Sequence, residues 1–193
     1  FPGPLLVVDG IQGLGAVAAS LAPADVLVAG GQKWMRAGWG SGVMAVGDRA
    51  LERLAPTLTG WTGVERFLDF TAPPPHPILD AADRFQEGSP PFLGTLQLGA
   101  AAEVIEIAGI AAIETVVLAR AAAVEEAARR AGAEVLAPWH GPAERAGIVC
   151  FRLPGEDPAA TVTRLNAAGL TVSRRSGWVR ASAHATTPAE APA

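Results

Sequence analysis

An α/β fold is predicted: a strand-rich first part followed by a small α+β unit. Three observations predict it. Short apolar runs at residues 5–8, 26–29 and 42–46 lie close together, each bounded by Gly, Asp or Pro, with the length of buried strands. Residues 95–131 are helical in pattern almost throughout. After Gly132 the rhythm shortens to strand, strand, helix, strand, strand.

Between the first two runs, residues 12–21 predict a short helix stopped by Pro23, and residues 48–55 predict a helix with Asp48 as its N-cap. The Pro-rich stretch 71–77 is loop or extended chain, and Gly88-Ser89-Pro90-Pro91 is a second loop. In the long helical stretch Leu96, Leu98, Ala101, Val104, Ile105 and Ala108 form an apolar stripe that Gly109 breaks. The last part predicts strands at 134–136, 147–153, 170–173 and 178–182 and a helix at 158–168. A domain boundary is expected near 85–95, drawn at 88/89, so that residues 1–88 and 89–193 form separate domains.

Composition excludes several classes. The hydrophobic share is 50%, yet no window reaches the roughly 18 uninterrupted apolar residues of a membrane span. Net charge is −4 without a basic block, which argues against a nucleic-acid partner. Cys150 is the only cysteine, so no intrachain disulfide or zinc ribbon can form, and a reducing, cytoplasmic compartment is expected. His76 and His140 lack metal-ligand spacing. No signal-peptide pattern opens the chain, which reads as if it began inside a domain, and its small, Pro-rich end is expected to fray.

The basic residues are the sharpest signal. Fourteen of fifteen are arginine, and the one lysine, Lys33, follows the second apolar run in Gly30-Gly31-Gln32-Lys33-Trp34. Arginine can supply surface charge but cannot form a Schiff base, whereas a primary amine desolvated at a strand end can attack a carbonyl. Asp9 ends the first run and is a helix cap, a turn former or a site carboxylate. Together, a lysine and a carboxylate opening on one crevice are the two protein groups that pyridoxal phosphate needs, or else a structural ion pair.

Four motifs in order make the chain similar to class V aminotransferases, the fold-type I group that also holds cysteine desulfurases, kynureninases and isopenicillin N epimerase-like enzymes. Asp9-Gly10-Ile11-Gln12 resembles the Asp-x-x-Gln stretch, and Gly31-Gln32-Lys33-Trp34 the lysine motif. Arg84-Phe85-x-x-Gly88-Ser89-Pro90 resembles the Arg-Phe-x-x-Gly-Thr-Pro segment, and Arg180-Ala181-Ser182 the Arg-x-Ser segment. The resemblance implies the C-terminal part of a fold-type I transferase dependent on pyridoxal 5'-phosphate: the end of the large-domain sheet plus the small α+β domain.

It also implies roles. Lys33 forms the Schiff base and shuttles the α-proton, Asp9 pairs with the ring nitrogen, and Gln12 bonds the ring hydroxyl oxygen. Gln32 stands where a phosphate-holding histidine is usual, Ser89 reaches the phosphate in a neighbouring subunit of a homodimer, and Arg180 clamps the carboxylate of an amino-acid substrate. Gly30 replaces a hydroxyl residue, and Ala185-Thr186-Thr187 replaces Tyr-Asn-Thr. The front half of a family member, with its phosphate-binding turn and stacking aromatic, has no counterpart here. Transamination or epimerisation is the leading expectation. A non-catalytic dimerising remnant and a kynureninase- or desulfurase-like lyase are the alternatives. Cys150, mid-strand, reads as a core thiol, and no thiol precedes Arg180 on the stretch where a desulfurase carries one. Arg174 and Arg175 read as solvated residues able to touch an acidic substrate; Trp61 is a candidate for lining the substrate entrance, with core packing the default for it and for Trp39.

Overall fold

The computed structural model describes residues 3–18, 23–136, 141 and 144–188. Its contacts form two compact units, Phe1–Leu14 with Ala19–Val104, and Gly15–Ala18 with Ile105–Ala193. The division at 88/89 into a large and a small domain stays a proposal.

In the first unit β1 (Val7–Asp9), β2 (Val26–Gly30) and β3 (Gly42–Val46) form a sheet in the order β1-β2-β3. β1 runs parallel to β2 and β3 antiparallel to it. The second and third apolar runs form β2 and β3, β1 takes only the end of the first run together with Asp9, and only central β2 is largely buried. Register explains the rest: Asp9, Val28 and Met44 face each other across the sheet, and all three are exposed. On the other side Leu27 and Ala29 are buried.

The helix expected at 12–21 is absent from its described part. Residues 11–16 form turns in which the Gly13 and Leu14 N–H groups both donate to the Gly10 carbonyl, and residues 19–21 lie outside the described residues. Gly10, Gly13 and Gly15 make a helix costly here. The helix expected at 48–55 shrinks to one turn, α1 (Asp48–Leu51). Its N-cap is Gly47, not Asp48, which sits in the first turn.

Two arginine clasps hold this unit together. Buried Asp25 accepts from the Leu6 N–H at 2.6 Å and from Arg49 Nε and Nη2 at 2.6 and 2.5 Å, tying the start of β1 to α1. The Arg49 guanidinium and the Leu6 N–H hold the Asp25 carboxyl well below the usual range, at about 2. Arg84, in the 3₁₀ turn Ala82–Phe85, is 9% exposed and donates to the carbonyls of Leu51, the last residue of α1, and of Leu54 beyond it. The arginine of the Arg-Phe-x-x-Gly motif is thus a structural clasp.

α2 (Phe92–Ala108) and α3 (Ile110–Arg130) follow. Gly109, at φ 77°, separates them where the apolar stripe predicts a break, because a side chain there would be strained. In the last turns of α3, Arg129 and Arg130 pair with Glu125 and Glu126 four residues back, which also suits the negative helix end. Among the described residues no single helix is long and apolar enough to cross a membrane.

The second unit holds a four-stranded antiparallel sheet in the order β4-β5-β7-β6. Its strands are β4 (Glu134–Leu136), β5 (Ile148–Arg152), β6 (Ser173–Arg175) and β7 (Trp178–Ser182). α4 (Pro158–Ala167) starts at the Asp157 cap, whose carboxylate accepts from the Ala159 N–H at 3.0 Å. Ala128, Phe151 and Val179 form its core, with Val135, Val162 and Leu165 packed against them. The strand expected at 170–173 lies instead at 173–175. It is placed by pairing with β7 through the turn Ser176-Gly177, whose φ values of 46° and 80° suit a two-residue hairpin.

Trp39 is 82% exposed and Trp61 is 45% exposed, so neither is a core residue. The C-terminal residues 189–193, with Trp139 and His140, lie outside the described residues.

Candidate active site

Parallel pairing brings the C-terminal ends of β1 and β2 to one edge of the first sheet. The ladder continues past β1 with the Gly10 N–H donating to the Val28 carbonyl at 2.8 Å. Open α/β sheets bind ligands at this edge. An open depression of about 410 Å³ lies there, lined by Asp9, Ile11, Val28, Gly30, Gly42 and Met44 among others.

Asp9 is the last residue of β1, exposed, and its Oδ1 accepts the Ile11 N–H at 3.0 Å. It is therefore a turn former on the wall of the depression, and no helix follows for it to cap. No ion pair joins Asp9 to Lys33 among the described residues, so the structural-pair reading falls.

Lys33 sits in the turn after β2. The Gly31 N–H donates to the Ser41 carbonyl and the Ala37 N–H to the Gly31 carbonyl, both at 2.9 Å, which pins the base of the loop. Arg36 closes the turn onto the Lys33 carbonyl at 3.2 Å, with a positive φ of 57°. The expected desolvation of Lys33 is not seen: its side chain is exposed, because the strand ends at Gly30 and the lysine lies three residues beyond, in the turn.

A side-chain bond links the two strand ends. Buried Trp34, next to Lys33, donates its indole N–H to Gln12 Oε1 at 3.2 Å. Indole nitrogen only donates, so the carbonyl end of Gln12 must face it, and the amide nitrogen is the end that can donate to a ring oxygen. The Gln32 side chain folds over Gly30: a Cβ built at Gly30 would lie 2.3 Å from Gln32 Oε1. A hydroxyl residue at position 30 would displace it.

Asp9, Gln12, Gln32 and Lys33 are thus gathered at one edge. Ser89 is exposed and accepts the Trp61 indole N–H at 3.0 Å; its contact is with Trp61, not with the lysine turn. Trp61 in turn meets Phe67 edge-on, with ring centroids 5.2 Å apart.

Arg180 lies in the second unit, half-buried in β7. Across the sheet it faces Cys150 on one side and Ser173 on the other. That face is opposite the core, so Cys150 is half-buried rather than a core residue. Burial pushes the Cys150 thiol up, and the positive charge of Arg180 partly offsets the rise. Sequence reasoning missed Met44 and Val28 in the depression, and it named Arg175 without placing it on the Arg180 face. Period-2 alternation along β6 and β7 was the signal for the last. Among the described residues no group of three metal-ligating side chains occurs.

The fold matches solved enzymes. A cysteine desulfurase from Thermococcus onnurineus NA1, in its apo form, superposes with a TM-score of 0.83 at 23% identity, over 97% of this chain and 49% of that one. The cystine C-S lyase C-DES, in complex with cysteine persulfide, gives 0.82 at 21% identity, over 95% and 49%. An alanine–glyoxylate aminotransferase from Nostoc sp. gives 0.67 at 18% identity, over 94% and 49%. The chain spans about half the length of these structures. Comparison with curated proteins gave no match. Residues 2–187 match the model for class-V aminotransferases, and the chain belongs to that family.

Proposed function

We propose that this chain carries the lysine, the ring carboxylate and the substrate arginine of a pyridoxal 5'-phosphate enzyme that acts on an amino acid by transamination or epimerisation. The observation that carries this reading is the Trp34–Gln12 bond, which holds the Lys33 turn beside the Asp9 end of β1. The donor set fits the ring of the cofactor: a primary amine, a carboxylate with one oxygen engaged by the Ile11 N–H, and an amide turned to donate.

When bound, the cofactor supplies an electron sink for negative charge at the substrate α-carbon. Asp9 would keep the ring nitrogen protonated, and Gln12 would donate to the ring oxygen. Lys33 would hold the aldehyde carbon, and its Nζ would move the substrate α-proton. Arg180 grips the substrate α-carboxylate through its planar fork, and Gln32 donates to the phosphate without adding charge. Ser89 serves the phosphate of a second subunit in a homodimer with shared sites, and the protein works in the cytoplasm. Desulfuration through a protein thiol is disfavoured, because the turn before Arg180 is only Ser176-Gly177 and Cys150 lies mid-strand.

The test is the visible spectrum of the protein mixed with pyridoxal phosphate, before and after borohydride, with peptide mapping and a Lys33→Arg control. The expected result is a band that borohydride removes while fixing the cofactor to the Lys33 peptide, absent in the control. The same band in the control, or no Lys33-bound band both in this chain and in one extended upstream to the length of its structural neighbours, overturns the reading in favour of a non-catalytic protein.

A further inference from the structure

We propose that Arg175 and Arg180 together form a two-anion site, which selects amino acids with a second acidic group on the side chain. The inference rests on Arg180 being the carboxylate clamp proposed above. Register places both arginines on the face of the second sheet opposite its core: Ser173 pairs with Arg180 and Arg175 with Trp178, so Arg175 and Arg180 are diagonal neighbours on adjacent strands. Diagonal partners on one face lie about 7–8 Å apart at the backbone, within the span of two long side chains converging on one small ligand.

The charge on this face is uncompensated at these two residues. A third arginine, Arg152, is already satisfied: it pairs with Glu134 at 2.6 Å and lies over the Trp178 ring at 4.6 Å. The groups directly across from Arg180 are a hydroxyl, Ser173, and a thiol, Cys150, not carboxylates. Neither Arg175 nor Arg180 makes a side-chain hydrogen bond or ion pair among the described residues. The tight Ser176-Gly177 turn fixes the spacing between the two strands, so the pair is held by the hairpin rather than by a flexible loop. Planar guanidinium forks each match one carboxylate. One carboxylate on Arg180 and a second on Arg175 accommodate a dicarboxylic amino acid such as aspartate or glutamate.

The experiment follows the Nε–H signals of the arginines by NMR in the whole chain during titration with L-glutamate, glutarate, L-alanine and butyrate. The signals are assigned with Arg175→Gln and Arg180→Gln. The expected result is that the two-carboxylate ligands shift both signals and bind about tenfold tighter than their one-carboxylate counterparts. Arg175→Gln removes that advantage and leaves alanine and butyrate unchanged, Arg175→Lys keeps part of it, and Arg180→Gln weakens all four. Equal affinity for the two ligand classes, equal loss on both in Arg175→Gln, or no binding at all overturns the proposal. Failure here with a positive Lys33 spectrum removes only the acidic preference. A positive titration with a failed spectrum leaves an anion site on a chain that lacks the cofactor chemistry.

Discussion

Replacing Arg84 with Ala is expected to destabilise the first unit by about 2–4 kcal/mol. The guanidinium is buried and donates to the carbonyls of Leu51 and Leu54. Leaving two acceptors without a partner costs about 1–3 kcal/mol each, with water recovering part of it. Two terms keep the figure low. Arg84 Nε is itself buried without a hydrogen-bond partner, so its removal relieves a penalty. The Asp80 partner, at 3.3 Å, is fully exposed on its side chain, so that ion pair contributes at most about 1 kcal/mol. Asp80→Ala is therefore the control, with an expected loss below about 1 kcal/mol. The assay is urea unfolding read through tryptophan fluorescence, with hydrogen exchange at the N–H groups of α1 to localise the change. Equal losses in Arg84→Ala and Asp80→Ala would show that the ion pair, not the carbonyl clasp, is what Arg84 provides, and would refute the argument. Arg84→Lys is expected to recover less than half the loss, because an ammonium cannot reproduce the fork.

Two further outcomes follow from the first unit. The Asp25 carboxyl is held at about 2 in the fold against an ordinary 3.8, so its stabilisation is complete above about pH 4 and is lost as pH falls towards 2. In acid titrations monitored by circular dichroism, Arg49→Gln flattens that window, and an unchanged acid midpoint contradicts the Arg49–Asp25 coupling. Gly42→Val is expected to disrupt the β2–β3 pairing, because a Cβ at 42 would lie 2.6 Å from the Ala29 backbone carbonyl; its thermal midpoint should fall by several degrees, whereas an unchanged midpoint would mean that β3 shifts freely.

Legibility in the sequence followed the range of the interaction. β3, β4 and β7 occupy the residues their apolar patterns predict, and Gly109 breaks the helix as expected, because period and glycine act locally. The four motifs were enough for the family, since each is a short run of chemically constrained residues. Long-range pairing was not legible. Nothing near Asp25 in sequence announces Arg49, 24 residues away, and nothing near Gln12 announces Trp34. β6 moved to 173–175 because pairing with β7 across a two-residue turn outweighs the apolar run before it.

By itself, then, the sequence determined the α/β class, the order of the strands, the one lysine and the acid that precedes it. These depend on local spacing and on which side chains have the needed chemistry. Tertiary structure alone decided that Lys33 lies exposed in a turn, that Arg84 is a clasp, and that Arg175 shares a face with Arg180. The first two depend on backbone groups brought together from distant parts of the chain, and the third on the register of β6 against β7, which alternation along each strand does not fix by itself.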